Sequence, residues 1–107
     1  MKKEGVFMLA RLYIIVSSED VNDEMKIKEE LLQICPTFSM SASRSCPHVK
    51  NAIDFYITAD LKEEDVLPLL NQLNNDWDGE IDQCCAYGFN TKMFNPLVYY
   101  LDFTLWN

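Results

Sequence analysis

Hydrophobic and polar residues alternate along this chain in two rhythms, one of two residues and one of three to four, and the switches between them predict its elements. Phe7 to Val16 is apolar and β-branched on both faces apart from Arg11, which predicts a central strand covered on both sides for much of its length. Ser17-Ser18-Glu19-Asp20 then supplies capping oxygens and negative charge for a helix running to about Cys35 and ending before Pro36. Val21, Met25, Leu32 and Cys35, with Leu31 and Ile34 beside them, give that helix one buried stripe; Glu24, Lys28 and Glu29 face water.

Thr37 to Ser43 reads as a short edge strand and Ala52 to Ala59 as its hairpin partner, with Ile53, Phe55, Ile57 and Ala59 alternating against Asp54, Tyr56 and Thr58. Asp60 and Glu63 have capping-box spacing ahead of a second helix whose apolar face is Val66, Leu69, Leu70, Leu73 and Trp77. Pro68 requires either a helix start near Asp65, where proline falls in the first turn, or a kink around Glu64, and the later start is favoured. Asp78-Gly79 turns the chain into a strand from Ile81 to Phe89, and after a loop at Asn90 to Pro96 a final strand runs from Leu97 to Trp106. Leu97, Tyr99, Leu101, Phe103 and Leu105 take its core side.

The order βαββαββ fits an α+β fold: a ferredoxin-like antiparallel sheet, βαββαβ plus one C-terminal strand, with two helices on one face. At 107 residues, without repeats or a linker, the chain is expected to form a single domain. Nothing remains in it to cover the other sheet face, which is therefore the main place to look for function.

Composition sharpens the picture. The net charge is −8, which opposes nucleic acid and anionic membranes and favours basic partners. The charge is concentrated: Glu19 to Glu30 holds six acids and two lysines, and Asp60 to Asp82 holds eight acids and one lysine. No run approaches the roughly 20 apolar residues of a membrane span, and Met1 to Phe7 lacks a signal-peptide layout, so a cytoplasmic location is expected. Cys35, Cys46, Cys84 and Cys85 are then expected as free thiols.

Three chemistries are suggested and then set aside. Asn74-Asn75-Asp76-Trp77-Asp78-Gly79-Glu80-Ile81-Asp82 imitates a calcium-binding loop, but the bidentate glutamate due at its twelfth position is Cys85. The soft ligands Cys46, His48, Cys84 and Cys85 lack the paired spacing of a zinc site. His48, the one histidine, stands two residues from Cys46 in a loop, with no glycine-rich phosphate cradle or nucleophile elbow elsewhere. The expectation is a protein that is not an enzyme and uses neither metal nor cofactor.

What remains is recognition. Asp54, Tyr56 and Thr58 on one strand and Tyr100, Asp102, Thr104 and Trp106 on the last project away from the core side. Aromatic anchors interleaved with carboxylates suit an interface that receives Arg and Lys. Asp76, Asp78, Glu80 and Asp82, then Glu63 and Glu64, are the acidic candidates, with Asp54, Tyr56, Tyr100, Asp102 and Trp106 completing the expected contact set.

In size, acidity and aromatic tail, Leu97-Val98-Tyr99-Tyr100-Leu101-Asp102-Phe103, the chain resembles the small bacterial immunity proteins of contact-dependent growth inhibition systems. That resemblance implies a cytosolic protein that binds and neutralises one cognate toxin domain, often a nuclease with a basic cleft, while remaining a monomer or weak dimer. The alternative expectation is a homodimeric ferredoxin-like regulatory or small-ligand-binding module whose open sheet pairs with a second copy.

Overall fold

The computed structural model describes residues 7–74, 76–89 and 92–106. Most of the Met1 to Phe7 segment, Asn75 of the calcium-like loop and Asn90 at the start of the last loop lie outside the described residues. The elements are β1 (Met8–Val16), α1 (Val21–Ile34), β2 (Ser39–Met40), β3 (Arg44–Ser45), β4 (Ile53–Leu61), α2 (Glu63–Leu73), β5 (Asp78–Glu80), β6 (Gln83–Tyr87) and β7 (Val98–Trp106).

All the strands join one antiparallel sheet in the order β2-β4-β1-β7-β6-β5, and β3 also pairs with β4. The α+β class therefore holds, while strand order and count depart from the expected ferredoxin-like plan. That plan sets the 81–89 strand against β1 and the C-terminal strand outside it; in the structure β7 pairs with β1, and β6 and then β5 lie beyond. The physical reason is the length of matched apolar face. β7 has nine residues to match the nine of β1 and sets Phe103 against Leu12 and Leu101 against Ile14, whereas β6 has five residues and offers the small Cys84 and Ala86.

One apolar core fills the space between the sheet and both helices. Leu12, Ile14, Phe55, Ile57, Leu101 and Phe103 meet Ile27 and Leu31 of α1 and Val66, Leu69, Leu70 and Leu73 of α2. The expected α1 stripe is displaced by about a third of a turn. Val21, Met25 and Leu32 are exposed, whereas Ile27 and Leu31 point inward. Glu24 and Lys28, expected in water, are half-buried: Lys28 Nζ bonds Glu24 at 2.8 Å and lies 4.7 Å from the centre of the Phe55 ring.

Local chemistry explains the element ends. The Asp20 carboxylate caps α1 by accepting from the Asn22 N–H at 2.7 Å. The second helix starts at Glu63 with Lys62 as N-cap and no side-chain cap, so the Asp60–Glu63 box does not form and Pro68 sits inside the helix on its exposed side. Trp77 lies beyond the helix end, yet its indole donates at 2.9 Å to the Leu70 carbonyl, which also accepts the Asn74 N–H at 2.9 Å. Asp78-Gly79 does not merely turn the chain: it forms an edge strand, β5, that folds back on β6. Gly79 makes this possible at φ 118°, with no room for a Cβ beside the Gln83 carbonyl.

A register shift opposite Ile15 and Val16 inserts Tyr99 as a bulge and turns it to solvent instead of the core. Gly88, whose N–H donates to the Tyr99 carbonyl at 2.7 Å, fits against this bulge; a Cβ there would overlap the Val98 carbonyl.

Candidate binding face

The sheet face turned away from the helices follows from register. Tyr13 stands between Tyr56 and Asp102, and Asp102 in turn faces Cys85, which faces Asp78. One row along, Arg11 stands between Thr58 and Thr104, with Gln83 and Glu80 beyond. Leu9 lies between Asp60 and Trp106. Period-two alternation in β1, β4, β6 and β7 delivers all these side chains to one surface.

One end of the face is covered. Cys46, Val49 and Ala52, from the segment between β3 and β4, pack on Ile15, Tyr13 and Tyr100. Beneath them Asp54 is 1 % exposed and fully engaged: Tyr13 donates to Oδ2 and Arg44 donates to Oδ1 at 2.8 Å. Burial alone pushes the Asp54 carboxyl up, but the Arg44 and Tyr13 hydrogen bonds and the guanidinium charge outweigh it and leave it below the usual carboxylate range. The same burial, with the Asp54 charge, raises the Tyr13 phenol. Asp54 is thus a structural ion-pair residue beneath the surface, not one of the exposed contacts expected of it.

Other aromatic and acidic positions meet the expectation of a contact surface in different degrees. Tyr56 is 39 % and Trp106 42 % exposed. Tyr100 and Asp102 are half-buried; burial, followed by the Asp102 charge, raises the Tyr100 phenol. Asp78 and Glu80 stand exposed on the β5 edge, Asp82 in the turn to β6, and Asp76 just before β5, so the four acids share one rim of the sheet. Glu63 and Glu64 are exposed in the first turn of α2, on the helical layer, and are not part of that rim.

Residues outside the expected set also belong to this face. Arg11 lies over the Tyr56 ring at 5.2 Å and over the Trp106 ring at 5.1 Å. Leu9 is exposed beside it, so β1 is open on this face and not covered on both sides as expected; Tyr87, exposed at the other end of the face opposite Tyr100, stacks on Phe89 at 5.5 Å. The single arginine in an apolar strand was the available signal for Arg11, since a cation in a central strand is costly unless its side of the sheet is open. A depression of about 290 Å³ opens here. It is lined by Arg11, Tyr13, Arg44, His48, Tyr56, Asp102 and Thr104.

No family model, curated protein or solved structure matches this chain. The geometry must therefore carry the functional reading. The face offers aromatic area that a partner could bury, carboxylates at the margin, and one guanidinium held between two rings.

Proposed function

We propose that this chain is an immunity-type inhibitor that binds a basic protein toxin domain, a nuclease being the best fit, through its open sheet face and the acidic β5–β6 rim. One observation carries the reading: exposed Leu9, Tyr56, Tyr87 and Trp106 share a sheet face with the carboxylates Asp60, Asp78, Glu80 and Asp102. Aromatics of this kind supply the desolvated anchor of an interface, and carboxylates around them receive Arg and Lys. Against a nuclease they stand where phosphates of its substrate would bind, and their charge speeds capture.

Charge also favours a foreign partner over a second copy. On the strands, those four carboxylates face outward against the guanidinium of Arg11, which pairs with no carboxylate among the described residues, whereas Arg44 is paired with Asp54. Stacking two such faces sets like charges together.

The test is affinity capture of the tagged chain from its host's cytosol after growth beside sister cells, run in parallel with a Tyr56→Ala/Trp106→Ala variant. The expected result is one basic protein held at equal stoichiometry by the wild type and lost by the variant, whose toxicity on expression is relieved by this chain. Recovery of the chain alone, or a partner without toxicity, would overturn the reading.

A further inference from the structure

We infer that the depression at Arg11 is a small-molecule site for an α-amino acid with an apolar side chain, bound by its carboxylate to Arg11 and by its ammonium to Asp102. The Arg11 guanidinium is held in place by the Tyr56 and Trp106 rings, at 5.2 and 5.1 Å, and among the described residues no carboxylate pairs with it. Its planar set of N–H donors is therefore preorganised and open to an acceptor. Asp102 lines the same depression and, among the described residues, forms no ion pair; its side chain accepts a long 3.4 Å contact from the Tyr100 hydroxyl.

Arg11 faces Thr104 and Tyr13 faces Asp102, which makes Arg11 and Asp102 diagonal neighbours on adjacent strands. The backbones of such positions lie about 7–8 Å apart, and both side chains line the same depression, so one small molecule seated there can reach both. A simple anion gains from Arg11 but is repelled by Asp102, and a simple cation meets the reverse. A molecule carrying both charges on one carbon satisfies both. The Tyr13 and Tyr56 rings provide walls for its side chain, and the volume of about 290 Å³ is at the small end for a ligand site. Arg44 is engaged by Asp54 and leaves the selection to Arg11.

The site does not depend on a protein docking to the same face, and its test uses no protein partner. Amide chemical shifts of the wild type are followed while L-phenylalanine, 3-phenylpropionate (anion alone) or phenethylamine (cation alone) is added at fixed ionic strength. Saturable shifts at Arg11, Tyr13 and Thr104 are expected at concentrations at least tenfold lower for phenylalanine than for either single-charge probe. Arg11→Gln should weaken phenylalanine at least tenfold and spare phenethylamine; Asp102→Asn should weaken phenylalanine as much and spare or strengthen phenylpropionate. Phenylpropionate binding as tightly as phenylalanine, indifference to Arg11→Gln, or the lack of any saturable shift would overturn the assignment. If either variant loses its native spectrum, the three probes on the wild type still decide.

Discussion

At Asp54, burial and charge oppose each other most directly. A carboxylate taken out of water costs several kcal/mol unless it is paired and hydrogen-bonded, and here Arg44 and Tyr13 supply both. Asp54→Ala is expected to cost about 1–3 kcal/mol, by leaving the Tyr13 hydroxyl without its acceptor, and urea unfolding measures it. The pH dependence has a definite sign. Because the folded carboxyl lies below its ordinary value, its contribution is present above pH of about 4 and is lost as pH falls below that. Glu24, lowered by the Lys28 and Ser43 hydrogen bonds, acts in the same direction. Wild type should therefore lose stability between pH 5 and 3 more steeply than Asp54→Asn, on the order of 1 kcal/mol; parallel curves would deny Asp54 this role. At the alkaline end Cys84, pushed up to about 11 by burial, gives a contribution lost as pH rises through that value.

At the scale of the element, α1 shows how little a helical period says about which side of the helix is buried. Val21, Met25 and Leu32 repeat at helical steps as convincingly as Ile27, Leu31 and Ile34 do, and amphipathic spacing does not rank two adjoining stripes. The chain path decides: Glu24 bonded to Ser43 at 2.8 Å and Glu30 to Asn95 at 2.9 Å fix the helix about its axis and turn Ile27 and Leu31 to the sheet. Ile27→Ala or Leu31→Ala should cost about 2–5 kcal/mol, whereas Val21→Ser or Met25→Gln should change stability by less than about 0.5 kcal/mol. Chemical denaturation of the four variants separates the two stripes. The alternation of β4 and β7 was easier to read: a strand has two faces, and Ile53, Phe55, Ile57, Ala59, Leu101 and Phe103 all fall on the side expected of them. Tyr99 escapes because a bulge interrupts the period at that residue.

For the whole molecule, the arrangement of charge predicts its state of association. With like charges outward on the open face and acids on the β5–β6 rim, the chain is expected to sediment as a monomer in low salt, and any dimer to grow as salt screens the repulsion. Sedimentation velocity at two ionic strengths checks this; a tight dimer in low salt would instead favour pairing of two open faces. The open face itself was legible from the sequence, since two helices and one sheet leave one side without cover. Its composition was legible only in part. Asp54 belongs to the expected face by alternation but sinks beneath the 46–52 segment, while Arg11 belongs to it and becomes significant once Tyr56 and Trp106 close on its two sides.

The amino-acid pattern alone determined the helices, the long strands, the core side of β4 and of β7 apart from Tyr99, and the excess of negative charge, because each depends on residues near one another in the chain. Strand order, the hairpin that precedes the last strand, the orientation of α1 and the gathering of Arg11, Tyr56, Asp102 and Trp106 were decided only in the folded protein. These depend on contacts between residues distant in the chain, such as the matched faces of β1 and β7 and the bonds from Ser43 and Asn95 to α1, and local sequence does not carry that information.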